Sequence, residues 1–181
     1  MILFAIQPII TIHHSTNFLS AECRLLVLGW RKPAGFAIIV AHYLQISLSE
    51  QVINFVVKLL LVGAGGFAGS IVRALLSNFV QQASASSFPF GTLAVNVIGC
   101  FVIGFLAQLG EAREIFSADT RAFIFVGILG GFTTYSSFGN ETVNLWRGGA
   151  GWQALANIAA QLLLGLSGVF IGRLIATRIF A

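Results

Sequence analysis

The stretch "GILGGFTTYSSFGNETVNL", residues 127–145, decides how this chain is read. It places Thr133, Thr134, Tyr135, Ser136, Ser137, Asn140 and Glu141 directly after the pair Gly130-Gly131, inside an otherwise strongly apolar sequence. Polar groups in hydrocarbon are costly unless they are bonded or face a protein-lined cavity. Glycine tolerates unusual torsions, and threonine hydroxyls can replace backbone partners, so Gly130-Gly131 followed by Thr133-Thr134 predicts a break in a helix. A break frees carbonyls, and free carbonyls in a cavity suit a hard cation such as sodium. Tyr135 and Phe138 are three apart, hence on nearly one face, with Ser136 and Ser137 between them. Ring edges carry partial positive charge, so two rings beside hydroxyl donors can compensate an anion for lost water. The plainer alternative is that rings and hydroxyls only pack against their neighbours.

Composition sets the solvent. Over 181 residues the chain is 57% hydrophobic and 9% charged, whereas a soluble domain carries about 25% charged residues. Four stretches reach the ~20 residues that a membrane-spanning helix needs. They cover about residues 54–79, 91–110, 121–145 and 152–176, with the opening stretch in the third. Backbone groups in lipid must be bonded internally, so four such stretches imply helices. The expected fold is an all-α membrane protein with four transmembrane helices, the third broken, in a domain over residues 54–180. "VQQASASSFPF", "EAREIFSAD" and "WRGGAG" are short connections that leave no room for a folded extramembrane domain. Residues 1–53 read as an N-terminal extension of doubtful role, either a fifth helix or a segment with no structural part, since neither "MILFAIQPII" nor "AGFAIIVAHYLQISL" makes a convincing span or signal peptide.

Several function classes are excluded. The net charge of +4 comes from dispersed basic residues with no run suited to nucleic acid. Cys23 and Cys100 stand alone without CxxC spacing, and His13, His14 and His42 have no carboxylate spacing that suggests a metal. Glu141 is the single acid within the four stretches, and no Ser/His/Asp order or HExxH occurs, so an enzyme is not expected. "LLLVGAGGFAGSIVRALL" contains Gly63-x-Gly65-x-x-Ala68, which matches a dinucleotide-binding fingerprint. That motif needs an acid about 20 residues later, and no Asp or Glu lies between Lys58 and Gly110. Gly65 and Gly69 are better read as a GxxxG face for close helix packing. Arg73 then either snorkels to headgroups or draws anions to a vestibule. Asn96, one turn from Gly99 in the second stretch, wants an interhelical partner or a water-filled pore. If the amino terminus and the 110–120 loop share a side, that side collects Lys58, Arg113, Arg121, Arg173 and Arg178 against Arg73 and Arg147. The positive-inside rule then favours cytoplasmic termini.

"GAGGFAGSIVRALL", "GTLAVNVIGCFVIGF" and "GILGGFTTYSSFGNE" resemble the signature regions of the fluoride-specific ion channel family known as Fluc or CrcB, in the same order, over about residues 57–178. The resemblance implies a multi-pass protein of the bacterial plasma membrane that lets fluoride leave the cytoplasm passively and lowers its toxicity. It implies an antiparallel, dual-topology homodimer with pores along the subunit interface, and a structural Na+ at its centre held by the backbone carbonyls of Gly130 and Thr133. It matches Tyr135 and Phe138 to the family's facing phenylalanines, Asn96 to its pore asparagine and Arg73 to its first-helix arginine. Tyr135 departs from the commoner phenylalanine. The fourth-helix track, often tyrosine and serines, becomes Asn157, Gln161 and Gly165. The expected fluoride track is therefore Asn96, Thr134, Tyr135, Ser137, Phe138, Asn157 and Gln161, with Arg73 at a vestibule. A cation-coupled fluoride transporter and a structural membrane protein without transport activity are the alternatives. Coupled transporters usually show internal repeats, and no convincing repeat is seen here.

Overall fold

The computed structural model describes residues 34–113 and 115–180. The expectations for His13, His14, Cys23 and the first 33 residues fall outside these. The chain divides into two compact units, Met1–Phe55 and Val56–Ala181. In the first, the described backbone is helical from Ala34. Apart from the start of the first helix, everything that follows concerns the second.

Helix α1 runs Ala34–Ser84. Ala85, at φ 45°, turns the chain out of it. Gln81 then stitches the loop shut: its Nε2 donates to the Ser86 and Phe88 carbonyls at 2.7 and 3.1 Å, and its Oε1 accepts from the Gly91 amide at 3.1 Å. Pro89 lies just before α2, Phe90–Arg113, where a missing amide costs nothing. Its 24 residues make a rod of about 36 Å, enough for a hydrocarbon core of ~30 Å.

The third span, Ala118–Arg147, is built from four pieces. Ser117 caps a short α3, Ala118–Arg121, by accepting the Thr120 amide. A π-helical segment follows over Ala122–Leu129, then one turn of α4 over Gly130–Phe132. Thr133 (φ −89°, ψ 155°) and Thr134 (φ −147°, ψ 115°) are extended, and α5 covers Tyr135–Arg147. Gly149, at φ +79°, makes the turn into α6, Gly151–Phe180.

The break expected in the third helix is therefore present, and its position corrects the reason given for it. Gly130 has helical torsions, φ −64° and ψ −37°; the two threonines carry the extended backbone. The glycines serve close approach instead. A Cβ on Gly131 would come within 2.5 Å of the Gly66 carbonyl oxygen, and one on Gly65 within 2.5 Å of the Phe123 carbonyl oxygen. The GxxxG face of α1 is thus consumed inside the chain, backbone against backbone with the π-helical segment. The segment itself was not foreseen, because i→i+5 bonding leaves no mark in a continuous apolar run such as "AFIFVGIL".

Helices α2 and α6 pack closely along their length. A Cβ on Gly168 would lie 3.2 Å from the Val97 carbonyl oxygen and 3.3 Å from the Phe101 amide, so the two backbones nearly touch. At one end Arg173 of α6 pairs with Glu111 of α2 at 3.1 Å. The outer surface is apolar: Phe67, Leu75 and Phe170 are 72, 68 and 69% exposed. Such a distribution suits a lipid solvent, where the polar side chains are drawn inward. Among the described residues, four helical segments are long and apolar enough to cross a membrane.

Candidate functional site

The extended pair Thr133-Thr134 would strand backbone groups in a membrane if nothing met them. The side chain of Asn96, on α2, meets them. The Thr134 amide donates to Asn96 Oδ1 at 2.8 Å, and Asn96 Nδ2 donates to the Thr134 carbonyl at 3.0 Å. One side-chain amide thus imitates a strand partner for one residue. Of the two roles weighed for Asn96, the interhelical bond is present here. Gly99, one turn along α2, makes the room: a Cβ there would collide with Thr133 Cγ2.

These bonds decide which carbonyls are relieved. In a continued helix the Thr134 amide would bond the Gly130 carbonyl, and the Ser137 amide would bond the Thr133 carbonyl. The first instead goes to Asn96, and the second donates to Thr134 Oγ1 at 3.2 Å. The break therefore relieves carbonyls over residues 130–133, those of Gly130 and Thr133 among them. Thr134 Oγ1 also donates to Ser137 Oγ at 3.0 Å, so the threonine caps α5 in the usual side-chain fashion. Oxygen from flexible backbone is the donor set that a hard monovalent or divalent cation accepts. The two residues expected to hold Na+ fit that chemistry.

Just past the break, the rings of Tyr135 and Phe138 meet edge to face, with centroids 5.4 Å apart and planes at 65°. Tyr135 is 84% exposed and Phe138 half-buried. Gly130, Ser136 and Asn140 are exposed as well. A polar face with an aromatic at its centre thus lies on the outside of the single chain.

Behind it, polar side chains line the space between α2, α5 and α6. Asn96 Nδ2 donates to Gln161 Oε1 at 3.1 Å. One turn away, Thr92 Oγ1 donates to Glu141 Oε1 at 2.6 Å, and Asn157 Nδ2 donates to Thr142 Oγ1 at 2.9 Å. Thr142 Oγ1 in turn donates to the Phe138 carbonyl at 2.7 Å. Asn157 is fully buried, at 0% exposure. Helical spacing explains the order: Thr92 and Asn96 are four apart on α2, as are Asn157 and Gln161 on α6. The structure therefore brings Asn96, Thr134, Ser137 and Gln161 into one connected network, and Asn157 with Thr142 and Phe138 into another. Arg73 is half-buried on α1 and takes no part in either.

Three residues that make these bonds were given no role from the sequence. Thr92 could have been found by stepping one turn back from Asn96 on the same face. Glu141 was noted as the lone acid of the four spans but given no role, although an ionisable group in a span is a functional candidate by default. Thr142 carries no signal of its own, since threonine is common on helices that bond their own carbonyls.

A broken span, a splint across the break and polar side chains inside an apolar bundle define a class: a multi-pass helical membrane protein with a polar interior. Comparison with known proteins narrows it. The profile of the family described as "CrcB-like protein, Camphor Resistance (CrcB)" matches residues 60–173. A protein of Parabacteroides distasonis called "Fluoride-specific ion channel FluC" is 46% identical over 123 residues, which are 68% of this chain and 95% of that one. Proteins of the same name from Shewanella loihica and Sorangium cellulosum are 47 and 42% identical, over 67 and 66% of this chain and 98 and 94% of theirs. This chain belongs to the CrcB/FluC family.

Proposed function

We propose that this protein is a passive fluoride channel of the bacterial inner membrane. The family carries the assignment, and with it a channel rather than a coupled transporter or an enzyme. The observation on this chain that supports it most is the Asn96 splint. It bonds both the amide and the carbonyl of Thr134 where the third span opens, next to a polar track inside an apolar bundle.

Conduction follows from elementary requirements. Fluoride is small and strongly hydrated, so it enters lipid only where donors replace its water. The track formed by Asn96, Thr134, Ser137, Asn157 and Gln161 offers amide and hydroxyl groups, and Tyr135 and Phe138 offer ring edges. Binding at several modest sites in series lets the ion leave as readily as it enters. Arg73 near the end of α1 raises the local anion concentration at a vestibule.

The exposed polar face around Gly130, Tyr135, Ser136 and Asn140 supports assembly of two copies, since lipid is a poor solvent for it. We read this as a homodimer with antiparallel subunits, the fluoride paths running along the contact. Gly130 and Thr133 are the residues that would hold Na+ through their carbonyls. When bound, the cation supplies positive charge that steadies the contact and offsets anion repulsion.

Purified protein in liposomes, followed with a fluoride electrode, tests the assignment. Fluoride efflux that exceeds chloride efflux and is indifferent to a sodium gradient is expected. Efflux driven by sodium would make the protein a coupled transporter, and absence of any flux would leave only a structural role.

A further inference from the structure

The turn between α5 and α6, "WRGGAGW", residues 146–152, takes no part in the polar track. α6 has 30 residues, so it is about 45 Å long and matches a bilayer of ~40–45 Å with its headgroup layers included. The third span ends at Arg147 and the fourth begins at Gly151, which puts the turn between them at headgroup level. It is closed by its own backbone: the amides of Gly148, Gly149 and Ala150 donate to the carbonyls of Asn144, Trp146 and Leu145 at 2.9, 3.1 and 2.9 Å.

Two indoles flank this turn. Trp146 is 63% exposed and Trp152 80%. Trp146 is nonetheless held in place, since a Cβ on Gly151 would lie 3.6 Å from its Cζ3, and the ring rests over the first residue of α6. An indole has an apolar body and one N–H donor, so it favours the boundary between acyl chains and headgroups.

Between the indoles stands Arg147, exposed and without an ion pair among the described residues. It is the one charged residue between Glu141 and Arg173, and no charged residue lies between Arg73 and Glu111, a stretch that includes the α1–α2 loop at the same end of the bundle. α6 has no acid in its first turn. At the other end Arg173 has Glu111 at 3.1 Å. The charge of Arg147 is therefore answered from outside the chain. Its planar guanidinium suits a phosphate, which it can bind through two N–H groups at once.

We propose that this turn is a headgroup anchor, in which Arg147 binds the phosphate of an anionic phospholipid while Trp146 and Trp152 sit on either side of it at the level of the glycerol groups. A zwitterionic lipid brings its own ammonium to the phosphate and so answers the arginine less well. The anchor fixes the depth of α5 and α6, the helices that carry Glu141 and Asn157. It depends on residence in the membrane and is independent of the conduction reading.

Trp30→Phe leaves Trp146 and Trp152 as the only indoles, and quenching of their emission by brominated lipids in vesicles tests the proposal. Phosphatidylcholine brominated near the carbonyl end of its chains is expected to quench roughly twofold or more over the same lipid brominated near the methyl end. Equal or deeper quenching overturns the anchor. As a minor component in unlabelled phosphatidylcholine, brominated phosphatidylglycerol should collect around the indoles about fivefold over brominated phosphatidylcholine, the effect of one arginine at an anionic surface. Arg147→Gln is expected to abolish that preference and to keep the shallow quenching, which shows that the turn is still folded and inserted. Absence of the preference before that substitution, or its survival afterwards, overturns the assignment. Raised salt is expected to weaken the preference in the protein that retains Arg147; a preference indifferent to salt also overturns it.

Discussion

At Asn96 three hydrogen bonds converge on one side chain, two to Thr134 and one to Gln161. Replacing its NH2 by oxygen keeps the shape and reverses the chemistry. The new carboxylate still accepts the Thr134 amide, but it faces the Thr134 carbonyl and Gln161 Oε1 as a like partner. Asn96→Asp is expected to lower fluoride efflux from liposomes by a factor of ten or more, since a broken buried bond costs ~1–3 kcal/mol before its charge is counted. Normal efflux would mean that the splint is not needed for conduction. Tyr135 makes the opposite prediction. Its ring edge against Phe138, not its hydroxyl, is what an anion would meet. Tyr135→Phe should therefore conduct within about twofold of the wild type, the change expected when no essential bond is lost. A collapse of flux in that variant would assign the hydroxyl a place in the track. The residue scale is also where the sequence was most readable, because Asn96, Thr134, Tyr135 and Phe138 are conspicuous in apolar surroundings. It was least readable for Thr142 and for the direction of the Gln161 amide, which only a bonded partner can set.

Among the elements, the third span departs furthest from a regular helix. Its break is legible in "GGFTT": the Thr134 hydroxyl does replace a backbone partner, but the glycines do not carry the unusual torsions. Glycine is permissive in torsion and also small, and a string of residues does not say which property is used. Here smallness is used: Gly65 meets the Phe123 carbonyl and Gly131 the Gly66 carbonyl, while Thr133 and Thr134 carry the extended torsions. Gly65→Leu would force α1 away from the π-helical segment. A lower melting temperature is expected in detergent, consistent with overpacking costs of about 1–3 kcal/mol. Gly63 is the internal control, since a Cβ there meets nothing within 4 Å. Gly63→Ala should leave the melting temperature unchanged or raise it, because alanine gains about 0.5–1 kcal/mol over glycine in a helix. Equal sensitivity at both sites would show that the face of α1 is not what holds the third span. The π-helical segment could not have been read at all, as "AFIFVGIL" fits an ordinary helix equally well.

The molecule as a whole turns its apolar residues outward and its polar ones to a seam between α2, α5 and α6. Composition alone made that legible, since a chain with 9% charged residues cannot cover itself for water. What composition could not supply is the partner for the exposed face around Tyr135. On the homodimer reading, Na+ held at Gly130 and Thr133 binds the assembled form and stabilises it by linkage, by about 2.7 kcal/mol at a hundredfold excess over its dissociation constant. Exchange of sodium for a bulky organic cation is therefore expected to lower the melting temperature or release monomers, as seen by light scattering in detergent. An unchanged dimer would remove the cation from the account.

The central claim is passive, fluoride-selective conduction, and the reversal potential of the current across a planar bilayer holding the purified protein tests it most directly. With a tenfold fluoride gradient, equal chloride and an opposed sodium gradient, the current should reverse at the fluoride equilibrium potential, roughly 59 mV in magnitude for a monovalent ion. A reversal potential that follows sodium, or a membrane that carries no fluoride current, would contradict it.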